Sequence, residues 1–464
     1  MNAPGTPRHA RRVAVVGGGW AGLTAAVRAA QDGHRVTVFE ASRHWGGRAR
    51  SLSLTLPDGT ATTVDNGQHI LIGAYTDTLR LMALVGVDVD KALLRMPLAL
   101  VDPLGNGLRL PHWPAVPTWL SGRLPLAVLA GVLQAKGWAW ADKQALLLTA
   151  TRWQWSGFAC PPHATVAQLC AHLPPSLRQQ FIDPLCVSAL NSPAERASGQ
   201  VFLRVLKDAL FGVPGGSDLL LPRVDLGQLF PEAAVRWLSA APRHADLRLG
   251  QRVHHLAPAP GNGWLVNGEP FDRVVWAHAA QKQGMATLAS ALTSALADTG
   301  ANGSGPTPGQ KEALAHHAGL VFESIATVYA WTADGPQPHP LPQPMTALWP
   351  NAQQPGQFVF DRSWLGGPRG LLAFVVSASE GDAQTLENQI CAQAQAQLGL
   401  TVTPLKTVVE KRATFACTPQ LQRPAMAIAP GLVAAGDHVA GPYPATLEGA
   451  VRSGWAAADP AEWA

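Results

Sequence analysis

The sequence predicts an α/β protein in which a Rossmann-like domain, a parallel sheet plus a β-meander, is interleaved with an α+β domain. Three observations predict it. Residues 13–40 read as strand, glycine turn, helix and strand, the βαβ unit of a parallel sheet. Residues 431–454, GLVAAGDHVAGPYPATLEGAVRSG, read as a further strand and helix, so the far end of the chain can return to that sheet. Between them, after a long stretch of helical character, strand-like runs separated by turn residues recur from residue 247 onward.

The βαβ unit carries a ligand signature. Residues 13–16 form an apolar strand that enters Gly17-x-Gly19-x-x-Gly22. Gly17 permits the tight turn. Gly19 has no Cβ, so a pyrophosphate can approach the backbone, and Gly22 lets helix and strand pack closely. The alanine-rich helix that follows offers free N–H groups and a partial positive charge to the phosphates. The second strand, residues 35–39, ends at Glu40. That is the spacing of the carboxylate that accepts hydrogen bonds from the adenosine ribose. A glycine turn alone is common; strand, turn, helix, strand and acid together specify an adenine dinucleotide. No second G-x-G-x-x-G follows, so electrons are expected from an external donor rather than from a nicotinamide bound within the chain.

The remaining elements follow in order. Residues 51–64 alternate as a hairpin turning at Pro57-Asp58-Gly59, and Asp65-Asn66-Gly67-Gln68-His69 leads into a helix at about 75–85. Residues 91–215 read as mostly helical with Pro and Trp punctuation. Six tryptophans fall between Trp113 and Trp155, beside an apolar run at 124–133. That run is too short to span a bilayer and suits an interfacial helix or a tunnel wall. Residues 223–240 predict one more helix. LRLGQRVHHLA, WLVNG and FDRVVWAHA then read as successive strands, two of them joined at Gly261-Asn262-Gly263. Residues 296–310 carry the composition of a mobile loop. Strand runs at 324–332, 357–361, 370–378 and 406–415 suit a sheet that floors a cavity.

Composition narrows the class. A chain of 464 residues exceeds one ordinary core. Charged residues make up only 14% and there are 16 Trp against 3 Tyr. That balance suits a greasy ligand or a membrane contact, although the alanine-rich bias of a high-GC genome produces part of it. Net charge is +4 without a Lys/Arg run, which gives no nucleic-acid footprint and is compatible with an anionic lipid surface. Five cysteines with no CxxC pair predict neither a disulfide framework nor a zinc site, and fit a reducing cytoplasm. The first twelve residues lack the apolar core of a signal peptide, and Arg11-Arg12 precede the first strand rather than a leader.

Gly46-Gly47-Arg48 lies a short step beyond Glu40. With it, the N-terminal motif resembles that of the amine oxidase and phytoene desaturase superfamily of flavoproteins, as does the C-terminal strand, Gly436-Asp437 and helix. The resemblance implies FAD and a Rossmann-like FAD-binding domain. It implies that Gly47 admits the cofactor and that Arg48 lies beside its pyrophosphate. Gly67 and Gln68 would pass the isoalloxazine and Val253 would touch the adenine. Gly436 and Asp437 would hold the ribityl or pyrophosphate region, with the last helix pointing at the flavin. The implied domains are a discontinuous FAD-binding domain of residues 10–90, 213–283 and 405–464, and a substrate domain of residues 91–212 and 284–404.

A narrower resemblance rests on three segments. DNGQHILIGAYTDTLRLMALVG, LCVSALNSPAERASGQVFLRVL and LPRVDLGQLFP are similar to the squalene-associated FAD-dependent desaturase family. Its members are hydroxysqualene dehydroxylases of bacterial hopanoid biosynthesis. The substrate, a C30 isoprenoid, rests on this resemblance alone. Contact with other squalene-pathway enzymes goes with it, while the Trp-rich segment 113–155 without a spanning run predicts peripheral contact with the inner face of the cytoplasmic membrane. The implied reaction is coherent: an allylic hydroxyl leaves as water once protonated, and reduced flavin supplies hydride to the cation. A dry tunnel and one proton donor are required. His69, Asp183 and Asp208 are candidate donors, and none is assigned as the catalytic acid. Rival readings are a carotenoid-type desaturase, which draws hydride out of its substrate, and an amine oxidase with an aromatic pair made by Trp349 or Trp364 and Tyr443. A third is a non-catalytic prenyl-lipid carrier.

Overall fold

The structure is a computed structural model that describes residues 10–111, 126–259, 263–278, 282–297, 308–335 and 338–463. Its centre is a six-stranded sheet. In spatial order the strands are Asp246–Leu249, Arg35–Glu40, Arg12–Val16, Arg273–Trp276, Leu432–Ala434 and Ala427–Ala429. The first five run parallel and the sixth is antiparallel to its neighbour. Four of the five residues of Arg12–Val16 are buried, as a strand covered on both faces requires. One cover is the helix Trp20–Gln31, whose small residues let Leu447–Ala457 pack against it. A Cβ on Gly454 would lie 2.1 Å from the Ala21 carbonyl oxygen. The other cover is a three-stranded meander, Leu256–Ala259, Gly263–Val266 and Glu269–Phe271, backed by the helix Lys282–Ala297. The Rossmann-like FAD-binding class with an interleaved α+β region is the fold observed.

A second sheet of five antiparallel strands has the order Met345–Ala347, Phe358–Asp361, Leu371–Ser377, Phe322–Trp331, Thr403–Phe415. Its period-two pattern splits the core. Val328, Ala330, Leu372 and Phe374 face the helix Ala383–Leu398. Tyr329, Phe358, Ala373 and Val375 face a layer of helices that includes Leu126–Gln134, Trp140–Trp155, Asp183–Leu190 and Gly199–Phe211. This sheet therefore floors a space roofed by helices. The expected domain boundary between residues 404 and 405 falls inside Thr403–Phe415, which pairs with Phe322–Trp331. We propose the two-domain division with that boundary moved to the end of the strand.

Several local expectations change. The region from 91 opens not with helices but with the short strands Leu93–Met96, Ala99–Val101 and Gly107–Arg109. The first pairs with Leu219–Pro222, a partner invisible to local periodicity. The helix expected over 223–240 is two, Leu226–Leu229 and Pro231–Ser239, because Pro231 has no N–H to continue the first. The run starting near 247 divides: Asp246–Leu249 joins the parallel sheet, and only Leu256–Ala259 belongs to the meander. Residues 260–262 of the expected turn, 298–307 of the expected loop, and Trp113 with residues 112–125 lie outside the described residues.

Candidate active site

The N-terminal turn is built in two layers. Gly17 has φ +115° and donates its N–H to the Phe39 carbonyl at 2.8 Å, closing the turn onto the second strand. A Cβ on Gly22 would stand 1.9 Å from the Gly17 carbonyl oxygen, so the helix can approach only without one. Gly19 differs. Its φ of −80° suits any residue, and an added Cβ would meet nothing nearer than 3.8 Å. The protein's own packing does not require that glycine. The second layer is Gly46-Gly47-Arg48: the Gly46 N–H donates to the Gly18 carbonyl at 2.9 Å, and Gly46 bridges Gly19 in parallel. The open space at Gly19 therefore faces the second glycine pair. The buried helix start at Trp20, Ala21 and Gly22 has no capping side chain. Unsatisfied N–H groups beside a cradle that a Cβ would fill fit a dinucleotide pyrophosphate.

The adenosine end follows from Glu40. Its two carboxylate oxygens accept the N–H groups of Gly18 at 2.7 Å and Ser42 at 2.6 Å, which fixes the group and leaves lone pairs for ribose hydroxyls. The Gln251 N–H donates to the Glu40 carbonyl, so the segment carrying Val253 runs beside the strand end. Val253 packs there in a cluster with Phe39.

The C-terminal turn meets the N-terminal motif through charge. Arg48 pairs with Asp437 across 389 residues and donates to the Ala413 carbonyl at 3.1 Å. Burial alone pushes the Asp437 carboxyl up, but the Arg48 guanidinium and His438 hold it well below the ordinary carboxylate range. The Gly436 N–H is held by the Ser453 hydroxyl at 2.8 Å. Thr446 caps the last helix, and the fully buried Glu448 in its first turn accepts the Thr78 N–H and hydroxyl.

The segment after the hairpin carries residues that the sequence reading passed over. Asn66 donates to the Arg48 carbonyl at 2.6 Å, and its own carbonyl accepts the Arg50 N–H, so the amide braces the arginine motif. Gln68 accepts from the buried Arg362 at 3.2 Å, while Gly67 lies near Thr327 of the second sheet. Burial pushes the Asp65 carboxyl up to about 7, against the Leu226 N–H and Arg362. An acid and an amide directly before Gly67 were the only available signal. His69 donates Nδ1–H to the Gly67 carbonyl at 2.7 Å, and burial holds its ring below the ordinary histidine range. A neutral imidazole so committed is a poor proton donor.

Beneath the helical roof lies an elongated cavity. Among the described residues no charged side chain lines it, and its wall is hydrocarbon, with Ile72, Leu108, Val132, Leu146, Leu206 and Phe358 representative. At one end it reaches Tyr75, Tyr443 and Thr446, in the turn that leads from Asp437. Tyr443 meets Tyr75 edge to face at 6.0 Å. The expected partners are elsewhere: Trp349 is 42% exposed, and Trp364 stacks on His339 at 3.9 Å. Of the candidate acids, Asp208 pairs with Arg204 at 2.6 Å, and its carboxylate helps push the Tyr443 phenol up. Asp183 does not line the cavity, although its neighbours Ile182 and Leu185 do; burial and Glu195 push its carboxyl up.

A dinucleotide cradle and an apolar cavity that reaches the turn after Asp437 are the arrangement of a flavoprotein. The chain belongs to the flavin-containing amine oxidoreductase family, whose profile matches residues 20–460. It is an FAD-dependent enzyme. A hydroxysqualene dehydroxylase of Sinorhizobium fredii is 25% identical over 480 residues, covering 97% of this chain and 98% of that one. One of Zymomonas mobilis is 25% identical, covering 96% and 97%. A zeta-carotene desaturase of Zea mays is 34% identical, but over only 18% of this chain and 15% of its own. Among solved structures, an oxidoreductase from Methanosarcina mazei superposes with a TM-score of 0.66 at 15% identity, covering 96% and 99%. A reduced UDP-galactopyranose mutase superposes at 0.62 and 14%, covering 97% and 95%. These two show the fold alone.

Two outcomes are expected. Gly19→Ala should fold with a melting temperature near wild type in the apo state yet lose flavin absorbance per protein, because it fills space that only a ligand uses. Gly22→Ala should instead lose about 1–3 kcal/mol of stability through overpacking; equal behaviour of the two variants would contradict the distinction. Asp65 holds its proton to about pH 7 when folded and to about 4 when unfolded. From pH 4 to 7 the unfolded state therefore binds fewer protons, and stability falls as pH rises. Asp65→Asn should gain stability relative to wild type across that window in denaturant titrations, and a pH-independent difference would contradict it.

Proposed function

We propose that the protein reduces hydroxysqualene to squalene, a step that feeds hopanoid biosynthesis. The observation that carries this reading is the hydrocarbon cavity whose polar end lies in the turn leading from Asp437. The full-length likeness to two hydroxysqualene dehydroxylases supports it. In balance, the alcohol takes up a proton and a hydride and leaves as squalene and water. Bound, reduced FAD supplies the hydride. The chain's part is to hold the cofactor, keep the tunnel dry and place the carbinol. The proposed cofactor contacts are Gly17, Gly19, Gly22 and Glu40 at the dinucleotide turn, and Gly47 and Arg48 at the pyrophosphate. Gly67 and Gln68 serve the ring, Val253 the adenine, and Gly436 and Asp437 the ribityl side. An external donor supplies the electrons.

The same proposal includes peripheral docking on the anionic inner face of the cytoplasmic membrane. The helix Trp140–Trp155 turns Leu146 and Trp153 into the cavity. It leaves Trp140, Leu148 and Trp155 exposed, beside Lys136 and Arg152. No helix among the described residues is long and apolar enough to cross a membrane. Alkaline carbonate without detergent should release the protein from membranes.

Dithionite-reduced protein, mixed anaerobically with hydroxysqualene, should form squalene in one turnover with return of the oxidised flavin spectrum. If reduced protein leaves hydroxysqualene untouched while oxidised protein inserts double bonds into phytoene, the desaturase reading replaces this one.

A further inference from the structure

The polar side chains that line the cavity are Tyr75, Ser188, Ser217, Tyr443 and Thr446. Ser188 turns its hydroxyl back to the Leu185 carbonyl at 3.0 Å. Thr446 is spent on its own turn, donating to the Tyr443 carbonyl at 2.8 Å and accepting the Gly449 N–H, and the Tyr75 hydroxyl pairs with Thr446. Tyr443 is different. It lines the cavity, and its phenol feels the carboxylate of Asp208, which lies outside the hydrocarbon wall and is itself held by Arg204. Arg452 lies over its ring at 4.7 Å and Tyr75 supports its edge. Its backbone takes φ +57°, a left-handed conformation that a bulky residue adopts only when its surroundings impose it. Arg452, Tyr75 and the imposed backbone conformation thus fix one phenol beside the C-terminal turn.

We propose that Tyr443 is the hydroxyl-binding residue that selects an allylic alcohol over the parent hydrocarbon, with Asp208 as its positioning residue. This rests on the squalene-forming reading. A protonated phenol keeps oxygen lone pairs free, so it can accept the carbinol O–H of a bound C30 alcohol. Burial and the Asp208 carboxylate push the phenol up to about 12, so it stays protonated at working pH. A hydrocarbon has nothing to offer there, and the phenol would gain no partner. The contact also sets register: an elongated, nearly uniform apolar chain can slide in a hydrocarbon tunnel, and one hydrogen bond at a fixed end determines which carbon is presented. Selection of this kind follows from polar groups built to be paired rather than from cavity size.

The test is equilibrium binding of hydroxysqualene and of squalene to oxidised holoprotein, read by mass spectrometry of protein-bound lipid after rapid gel filtration. No turnover is involved. Wild type should prefer the alcohol. Tyr443→Phe keeps the ring and removes one oxygen; it should weaken alcohol binding roughly tenfold and leave squalene binding unchanged. Flavin absorbance and melting temperature, measured alongside, show that the variant is folded. Asp208→Asn, which retains a carbonyl acceptor, should lose less alcohol preference than Asp208→Ala. Equal losses for both lipids, or none for either, overturn the assignment, while the squalene-forming reading stands or falls on the single-turnover measurement. A wild-type protein that takes up neither lipid overturns both.

Discussion

The pairing of Arg48 with Asp437 is the constraint on which the remainder of the structure depends. A buried carboxylate at the end of the chain requires a cation, and the cation comes from the second glycine motif near its beginning. The same guanidinium donates to Ala413 in the second sheet. One side chain therefore ties the dinucleotide turn, the C-terminal turn and the floor of the cavity together. Asn66 secures the Arg48 backbone from beneath, and Ser453 secures Gly436 from behind. With those points fixed, the Tyr443 end of the cavity is set by the segment that holds Asp437.

What was legible in the sequence was local. The turn at Gly17, the helix after it and the strand ending at Glu40 are contiguous, and each residue's reason lies within a few positions of it. The strand Leu93–Met96 was not legible, and Asp246–Leu249 was legible as a strand but not as part of the parallel sheet, because their partners, Leu219–Pro222 and Arg35–Glu40, are distant in sequence. Short apolar runs of four residues carry no usable period until those partners are known. The site shows the same division. Gly19 could be read as a ligand glycine because the motif spacing says so, and its unfilled space agrees. Tyr443 was weighed only as half of a flavin-facing pair with a tryptophan. Its actual neighbours, Tyr75 and Asp208, come from two other segments that nothing in the spacing connects. Asp208 stood with Asp183 and His69 as a candidate donor, and its pairing with Arg204 and its place beside Tyr443 come from the structure.

The fold does not choose the reaction. Frames of this shape serve a galactopyranose mutase as well as oxidoreductases, at identities too low to carry a substrate. The chemistry is narrowed instead by the wall of the cavity. A tunnel without charged side chains among the described residues is poorly suited to an ammonium substrate, which would lose hydration without gaining a partner. It suits a branched hydrocarbon with one polar group. In the reading proposed above, Tyr443 supplies the matching polar point.

The central claim is that hydrogen flows into the substrate at the carbon that loses its hydroxyl. Because the transferred hydrogen exchanges with solvent before reaction, the most direct measurement is the isotope content of product formed by reduced protein in D2O. The account predicts squalene carrying one deuterium at the former carbinol carbon. Unlabelled squalene, or deuterium at any other position, would contradict it.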